Sequence, residues 1–238
     1  MSGGYGTLTA IGLGPGDPEL LTLKGLRLLR EARVVFAPLR VEGATSYALD
    51  IAWPHLDLAR QQIVSLLYPM PRGGRPDPEQ WRYNARAIAG YLRDGSDGAF
   101  ITEGDPLLYS TFGSTLLALQ DEFPLLPLRV VPGVSSITAA AALAQLPLAQ
   151  LDERVAILPA TAGESFLRQA LDSYDTVILL KVASRLESVL DLLESAGRVH
   201  SALLAERVGT SEQRVVRDLR SLRGQRVSYF SLVVVYGR

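Results

Sequence analysis

Along the first half of the chain, short β-branched and apolar runs alternate with stretches whose apolar residues recur every three or four positions. Leu8 to Leu13, Val34 to Ala37, Ile63 to Leu67, Gly98 to Thr102 and Leu128 to Val131 read as strands. Between them, Thr22 to Glu31, Ser46 to Leu58 (despite Pro54), Pro78 to Arg93 and Thr111 to Leu119 read as helices, the first with Thr22 as its N-cap. A helix between each pair of strands predicts a largely parallel sheet. The alternation continues with a helix at Ser135 to Ala144, a strand at Val155 to Leu158, a helix at Glu164 to Leu171, a strand at Thr176 to Leu180 and a helix at Arg185 to Ser195. The end of the chain then changes character. Ser201 to Glu206, Arg214 to Asp218 and Tyr229 to Tyr236 read as strands joined by short connections, which predicts antiparallel pairing in a second sheet. Two α/β domains follow, residues 1–124 and 125–238. The junction falls within Asp121 to Gly133, where three prolines disfavour helix and mark a connection.

Three strand ends carry glycine-rich turns. The first, in IGLGPGDPELLTLKGLRLL from Ile11 to Leu29, places Gly12, Gly14 and Gly16 between a strand and an amphipathic helix, with Pro15 and Pro18 stiffening the turn. It is not a dinucleotide fingerprint, because Asp17 stands where G-x-G-x-x-G requires its last glycine and would repel a pyrophosphate. The second is Gly104-Asp105-Pro106 in FITEGDPLLYSTFGSTLLAL; the third is Pro132-Gly133 in VVPGVSSITAAAALAQLPLA, ahead of a helix that begins near Ser135 or Ser136. Alone, each is an ordinary turn or a capped core helix. Repeated at strand ends in one chain, they point to a ligand site, since ligands of open α/β sheets bind beyond the carboxyl ends of the strands.

Composition narrows the chemistry. The 238 residues are 47% hydrophobic, enough for a sizeable core, and the net charge of −1 provides no global attraction for nucleic acid or an anionic membrane. No apolar stretch reaches the length of a membrane span and the start lacks a signal pattern, so a cytoplasmic protein is expected. The absence of cysteine removes thiol nucleophiles, disulfides and thiolate metal sites. His55 and His200 lie far apart without a second histidine at ligand spacing, so no protein-built metal site is expected.

GLGPGDPELLTLK, EGDPLLYSTF and VPGVSSITAAAA together resemble the tetrapyrrole methylase family, the class III methyltransferase fold, over nearly the whole chain. YSTF at Tyr109 to Phe112, PMP at Pro69 to Pro71 with Trp81, LLKV at Leu179 to Val182 and YFSL at Tyr229 to Leu232 resemble those members that methylate precorrin-2 or cobalt-factor II at carbon 20 of the cobalamin ring system. The resemblance implies two α/β domains with a ligand trough between them, a homodimer, S-adenosyl-L-methionine as methyl donor with S-adenosyl-L-homocysteine as product, and a tetrapyrrole substrate. It also implies donor contacts, largely main-chain, at Pro15, Glu103, Gly104, Asp105, Ser135, Ser136, Val182 and Ser231. A cationic, phosphate-free donor suits a glycine loop that contains carboxylates. Glu103 either meets the donor's amine or ribose or turns to solvent.

The implied chemistry is attack by an electron-rich meso carbon on a sulfonium methyl, which asks the protein for orientation and exclusion of water. Asp105, Lys181 and Tyr229 are candidates to remove the meso proton afterwards. Arginines are expected to meet the substrate's carboxylates, with Arg72 and Arg75 in PRGGRPDP preferred. The series Arg207, Arg214, Arg217, Arg220, Arg223 and Arg226 is expected to be a solvated face. Other readings are a methylase for another ring carbon or the siroheme branch, a nicotinamide-dependent oxidoreductase, opposed by Asp17 and Pro15, and a non-catalytic tetrapyrrole-binding protein.

Overall fold

In the computed structural model, residues 4–69 and 77–237 are described. The chain divides into two compact units, Met1–Ser135 and Ser136–Arg238. The sequence reading puts the division before Leu128–Val131; that strand hydrogen-bonds into the first sheet, which carries the first unit on to Ser135.

The first unit contains β1 (Leu8–Gly12), α1 (Leu23–Glu31), β2 (Val34–Leu39), α2 (Tyr47–Ala52), β3 (Gln62–Leu67), α3 (Pro78–Leu92), β4 (Gly98–Thr102), α4 (Thr111–Glu122) and β5 (Leu128–Val131). All strand pairs are parallel, in the order β3-β2-β4-β1-β5. β1 and β4 are buried along their whole length, so their side chains serve both faces of the sheet. On one face Ile11, Val35, Ala99 and Ile101 pack against Leu28 and Leu29 of α1 and Ala48 and Ile51 of α2. On the other, Leu8, Phe36 and Phe100 pack against Ala85 and Ile88 of α3 and Phe112 and Leu119 of α4. The connection leaving β1 therefore turns to one face and the connection leaving its neighbour β4 turns to the other. That reversal opens a crevice at the carboxyl ends of these two strands.

Local chemistry sets the helix ends. Thr22 caps α1 through a 3.0 Å hydrogen bond from Gly25 N–H to its Oγ1, as the sequence predicts. The helix expected to run from Ser46 to Leu58 is shorter. Ser46 caps it, but α2 ends at Ala52 and a single 3₁₀ turn, Trp53–His55, follows. Pro54 has no N–H to continue an α-helical ladder.

The second unit contains α5 (Ser136–Ala144), β6 (Val155–Pro159), α6 (Glu164–Ser173), β7 (Thr176–Leu180), α7 (Leu186–Ser195), β8 (Ala202–Glu206), β9 (Arg214–Val216) and β10 (Ser231–Val235). Its sheet has the order β6-β7-β10-β8-β9. Only β6 and β7 are parallel; β10 runs antiparallel to both β7 and β8, and β9 antiparallel to β8, so the expected change of pairing is present. α5 covers one face over Ile178, Leu203, Leu232 and Val234, while α6 and α7 cover the other over Val177, Leu179, Leu204 and Val233. The last strand starts two residues later than the pattern suggests, leaving Tyr229 and Phe230 exposed ahead of it.

Candidate functional site

Three backbone segments meet at the carboxyl ends of β1, β4 and β5, which lie side by side in the order β4-β1-β5. Gly14 and Gly104 exchange hydrogen bonds, 2.8 Å from Gly104 N–H to the Gly14 carbonyl and 3.4 Å in return, and both adopt positive φ. A Cβ on Gly133 would lie 2.1 Å from the Gly104 carbonyl oxygen and 2.7 Å from Gly12 Cα. One on Gly12 would lie 2.6 Å from both the Gly104 oxygen and Gly133 Cα. No side chain fits at Gly12 or Gly133, so these two glycines serve a backbone-to-backbone contact, while Gly104 supplies a positive φ and the carbonyl that both meet.

Asp105 ties the second and third segments together. Its Oδ2 accepts from Gly133 N–H at 3.0 Å and its Oδ1 from Leu107 N–H at 2.9 Å. Both oxygens are thus engaged by main-chain donors, an arrangement that fixes the loop. Asp17, which spoiled the dinucleotide reading, caps the short turn Pro18–Leu20 by accepting from Glu19 N–H at 2.9 Å. Tyr47 donates its hydroxyl to the Pro15 carbonyl at 2.9 Å, and His55 Nε2 lies 3.2 Å from the Pro18 carbonyl. His55 therefore braces the loop from α2's end.

Glu103 is open to solvent on its exposed side and backed by protein. Desolvation raises its carboxyl pKa above the ordinary glutamate value, opposed by a hydrogen bond with its own backbone. Beneath it, the buried Thr102 hydroxyl lies 3.0 Å from that of Ser110, the N-cap of α4. Ser110 also accepts from Phe112 N–H, so the YSTF string starts a helix; Tyr109 just before it has φ of 54°. Further inside, the Tyr68 hydroxyl is 2.8 Å from Thr115 Oγ1, which bonds back to the Thr111 carbonyl. Burial raises the Tyr68 pKa and keeps the phenol neutral.

Within the second unit, Lys181, Val182, Tyr229 and Ser231 gather at one end of the sheet, because β10 begins where β7 and β8 finish. Lys181 follows the last residue of β7 in a left-handed conformation, φ 59° and ψ 33°, and is exposed. A lysine held there carries a local cost of about 1–2 kcal/mol that the surrounding fold must sustain. Val182 is fully buried and heads a short 3₁₀ turn. Ser231 is buried, its Oγ enclosed and without a hydrogen-bond partner, while Tyr229 is half-exposed and packs edge-to-face on Phe230 with ring centroids 5.4 Å apart.

Pro15, Glu103, Gly104 and Asp105 thus share one end of the first sheet. Ser135 follows the β5 turn and Ser136 is the first residue of α5. Arg72 and Arg75, with Met70 and Pro71 of the PMP string, lie outside the described residues. Most of the C-terminal arginines are engaged: Arg207 with Glu212, Arg214 with Glu206, Arg220 with Glu194, Arg223 with Glu187, Asp191 and Glu194, and Arg217 with the Ala144 carbonyl. Sequence reasoning did not single out Tyr47, Thr102 or Glu206. The legible signal for the last two was a polar residue closing an apolar run, AFIT and ALLAE.

A parallel sheet with a reversed crossover, a glycine crevice without phosphate-friendly side chains, and a second mixed sheet define a two-unit α/β protein with a candidate small-molecule site. The chain belongs to the tetrapyrrole (corrin/porphyrin) methylases, whose family model matches residues 7–222. It is accordingly an S-adenosylmethionine-dependent methyltransferase. It is 32% identical to a cobalt-precorrin-2 C(20)-methyltransferase of Salmonella typhimurium over 97% of this chain and 96% of that one. A precorrin-2 C(20)-methyltransferase of Sinorhizobium is likewise 32% identical, over 100% of this chain and 98% of the relative. Among solved structures, a uroporphyrin-III C-methyltransferase from Thermus thermophilus complexed with S-adenosylhomocysteine superposes with a TM-score of 0.67 at 26% identity, covering 97% of each chain.

Two measurements probe the site. Replacing Asp105 by Ala leaves the Gly133 and Leu107 amides without their acceptor; S-adenosylhomocysteine binding by calorimetry is expected to weaken about tenfold. An unchanged affinity would detach the Asp105 clasp from donor binding. Glu103 gives a pH signature. Because its folded-state pKa is raised, its contribution to stability is fully present below the unfolded value, about 4.3, and is lost as pH rises through the folded value. Glu103→Gln removes that loss, so the melting temperature of the variant minus that of the wild type should increase from pH 4 to pH 7. A flat difference would contradict desolvation of this carboxyl.

Proposed function

We propose that this methyltransferase acts on carbon 20 of precorrin-2 or of its cobalt-containing counterpart, cobalt-factor II, in cobalamin corrin-ring biosynthesis. The observation that carries the proposal is full-length similarity to two C(20)-methyltransferases, one named for the cobalt-containing and one for the metal-free substrate. Both substrates therefore remain within it.

The donor residues fit a phosphate-free cation. The crevice offers backbone groups where no Cβ fits, and its acidic side chains, Asp17 and Asp105, already satisfy local amides. We assign donor binding to Pro15, Glu103, Gly104, Asp105, Ser135, Ser136, Val182 and Ser231. When bound, S-adenosylmethionine supplies an electrophilic sulfonium methyl. The chain's own work is orientation. Asp105 acts as a positioning residue, since both of its oxygens accept from main-chain amides and join two loops. Lys181 and Tyr229 are exposed at the sheet end, and one of the two, Lys181 acting as the neutral amine or Tyr229 as the phenolate, is assigned to receive the single proton that leaves the meso carbon after transfer.

The proposal extends to a cytoplasmic homodimer. It is supported by exposed apolar side chains of the first unit, Leu107, Leu108, Tyr109, Leu117 and Leu125. Light scattering should return twice the 25.8 kDa chain mass; a monomer would remove this part. Carbon specificity is tested by incubation with methyl-labelled S-adenosylmethionine and either metal-free precorrin-2 or cobalt-factor II, followed by NMR. A new label at carbon 20 is expected, and turnover of only one substrate would identify the route. Label at another ring carbon would overturn the assignment.

A further inference from the structure

Glu206, the last residue of β8, is a carboxylate only 7% exposed, at the end of the second sheet that carries Lys181, Tyr229 and Ser231. It stands in register between Ser231 of β10 and Arg214 of β9. Its two oxygens go to different partners. Oε2 accepts from Arg214 Nε, and Oε1 accepts from the backbone N–H of Ser228, both at 2.5 Å. Ser228 lies three residues ahead of β10, on the segment that leads into the strand. From that anchor the segment is pinned at each step: Phe230 N–H donates to Ser228 Oγ at 3.2 Å, and the Phe230 carbonyl accepts from Arg207 N–H at 2.8 Å. Arg207 itself has φ of 50°. Tyr229 and Ser231 have their backbone fixed by this bracket, and Glu206 is its one buried charge.

A carboxylate buried this far is retained at a desolvation cost unless both oxygens are satisfied. Arg214 supplies charge from a half-exposed position, and the Ser228 amide supplies direction. An apolar residue at 206 would still pack beneath β10 but would leave the Ser228 amide without its partner. We propose that Glu206 is a positioning residue of the methyl-donor site, acting through the Ser228 amide to hold Tyr229 to Ser231 in the geometry the donor meets. The inference rests on the reading that Ser231 contacts the donor.

Amide-resolved NMR titration of the full chain with S-adenosylhomocysteine separates the two. In the wild type the Phe230 and Ser231 amides should shift on saturation; if they do not, the donor-site reading of this segment fails, and with it the premise. If they do, Glu206→Ala should weaken S-adenosylhomocysteine binding about tenfold, the loss of one charge-assisted hydrogen bond, with a smaller change in kcat at saturating donor. Glu206→Gln keeps an acceptor for Ser228 and should bind within about threefold of wild type, as should Arg214→Met, which keeps the carboxylate. A structural role in the β8–β9 connection predicts instead that Arg214→Met weakens binding as much as Glu206→Ala. That equality, or wild-type affinity in Glu206→Ala, would overturn the inference. Should Glu206→Ala not fold, the comparison of Glu206→Gln with Arg214→Met decides, since only loss of affinity in Arg214→Met favours the structural role.

Discussion

Contact of backbone on backbone among Gly12, Gly104 and Gly133 is the constraint on which the carboxyl end of the first unit's sheet depends. Side chains normally keep neighbouring loops several ångströms apart. Here a methyl group at either Gly12 or Gly133 would fall within 2.7 Å of the next loop's main chain. Removing the side chains lets the first two loops exchange main-chain hydrogen bonds and the third approach them closely, which brings their peptide groups to one end of the sheet. A surface of peptide groups is neutral, densely hydrogen-bonding and stiff, which suits a donor that carries a positive sulfonium and no phosphate.

The carboxylates near that surface illustrate why charge must be read with its partners. Asp17 and Asp105 both follow glycine and precede proline, yet they do different work. Asp17 caps its own turn, a purely local bond, while Asp105 reaches across to the Gly133 amide and joins loops that are distant in sequence. Glu103, just past the end of β4 and two residues before Asp105, instead has a raised pKa through desolvation. The same charge in three settings gives a cap, a clasp and a desolvated acid.

The second unit uses a different device for a similar end. Its sheet ends are positioned by mixed strand direction, because β10 must run against β7 and β8 to start where they stop. This brings residues from three distant segments to one edge without close glycine contact. The buried charge of Glu206 and the left-handed turns at Lys181 and Arg207 occur there, where a chain leaving a strand has to change direction at once. Both units thus gather their candidate residues at strand ends, where backbone groups are no longer consumed by the ladder.

Much of the architecture was legible in the sequence because it follows from local pattern. Apolar runs of strand length, helix periodicity between them, Thr22 as a cap and the change of grammar after α7 depend on neighbours a few residues away, and all are present in the fold. The three glycine turns were legible as turns for the same reason, and the family resemblance was carried by their order. Where local pattern had to compete with chain geometry it misjudged extent: Pro54 ends α2 early, and β5, which lies beyond the expected division, belongs to the first sheet by its pairing with β1. Tertiary structure alone decided that Asp105 reaches the Gly133 amide, that Gly133 meets Gly12 and that Glu206 reaches Ser228. Those pairs lie between 22 and 121 residues apart, and no periodicity in a sequence encodes which distant backbone group a carboxylate or a missing side chain will face.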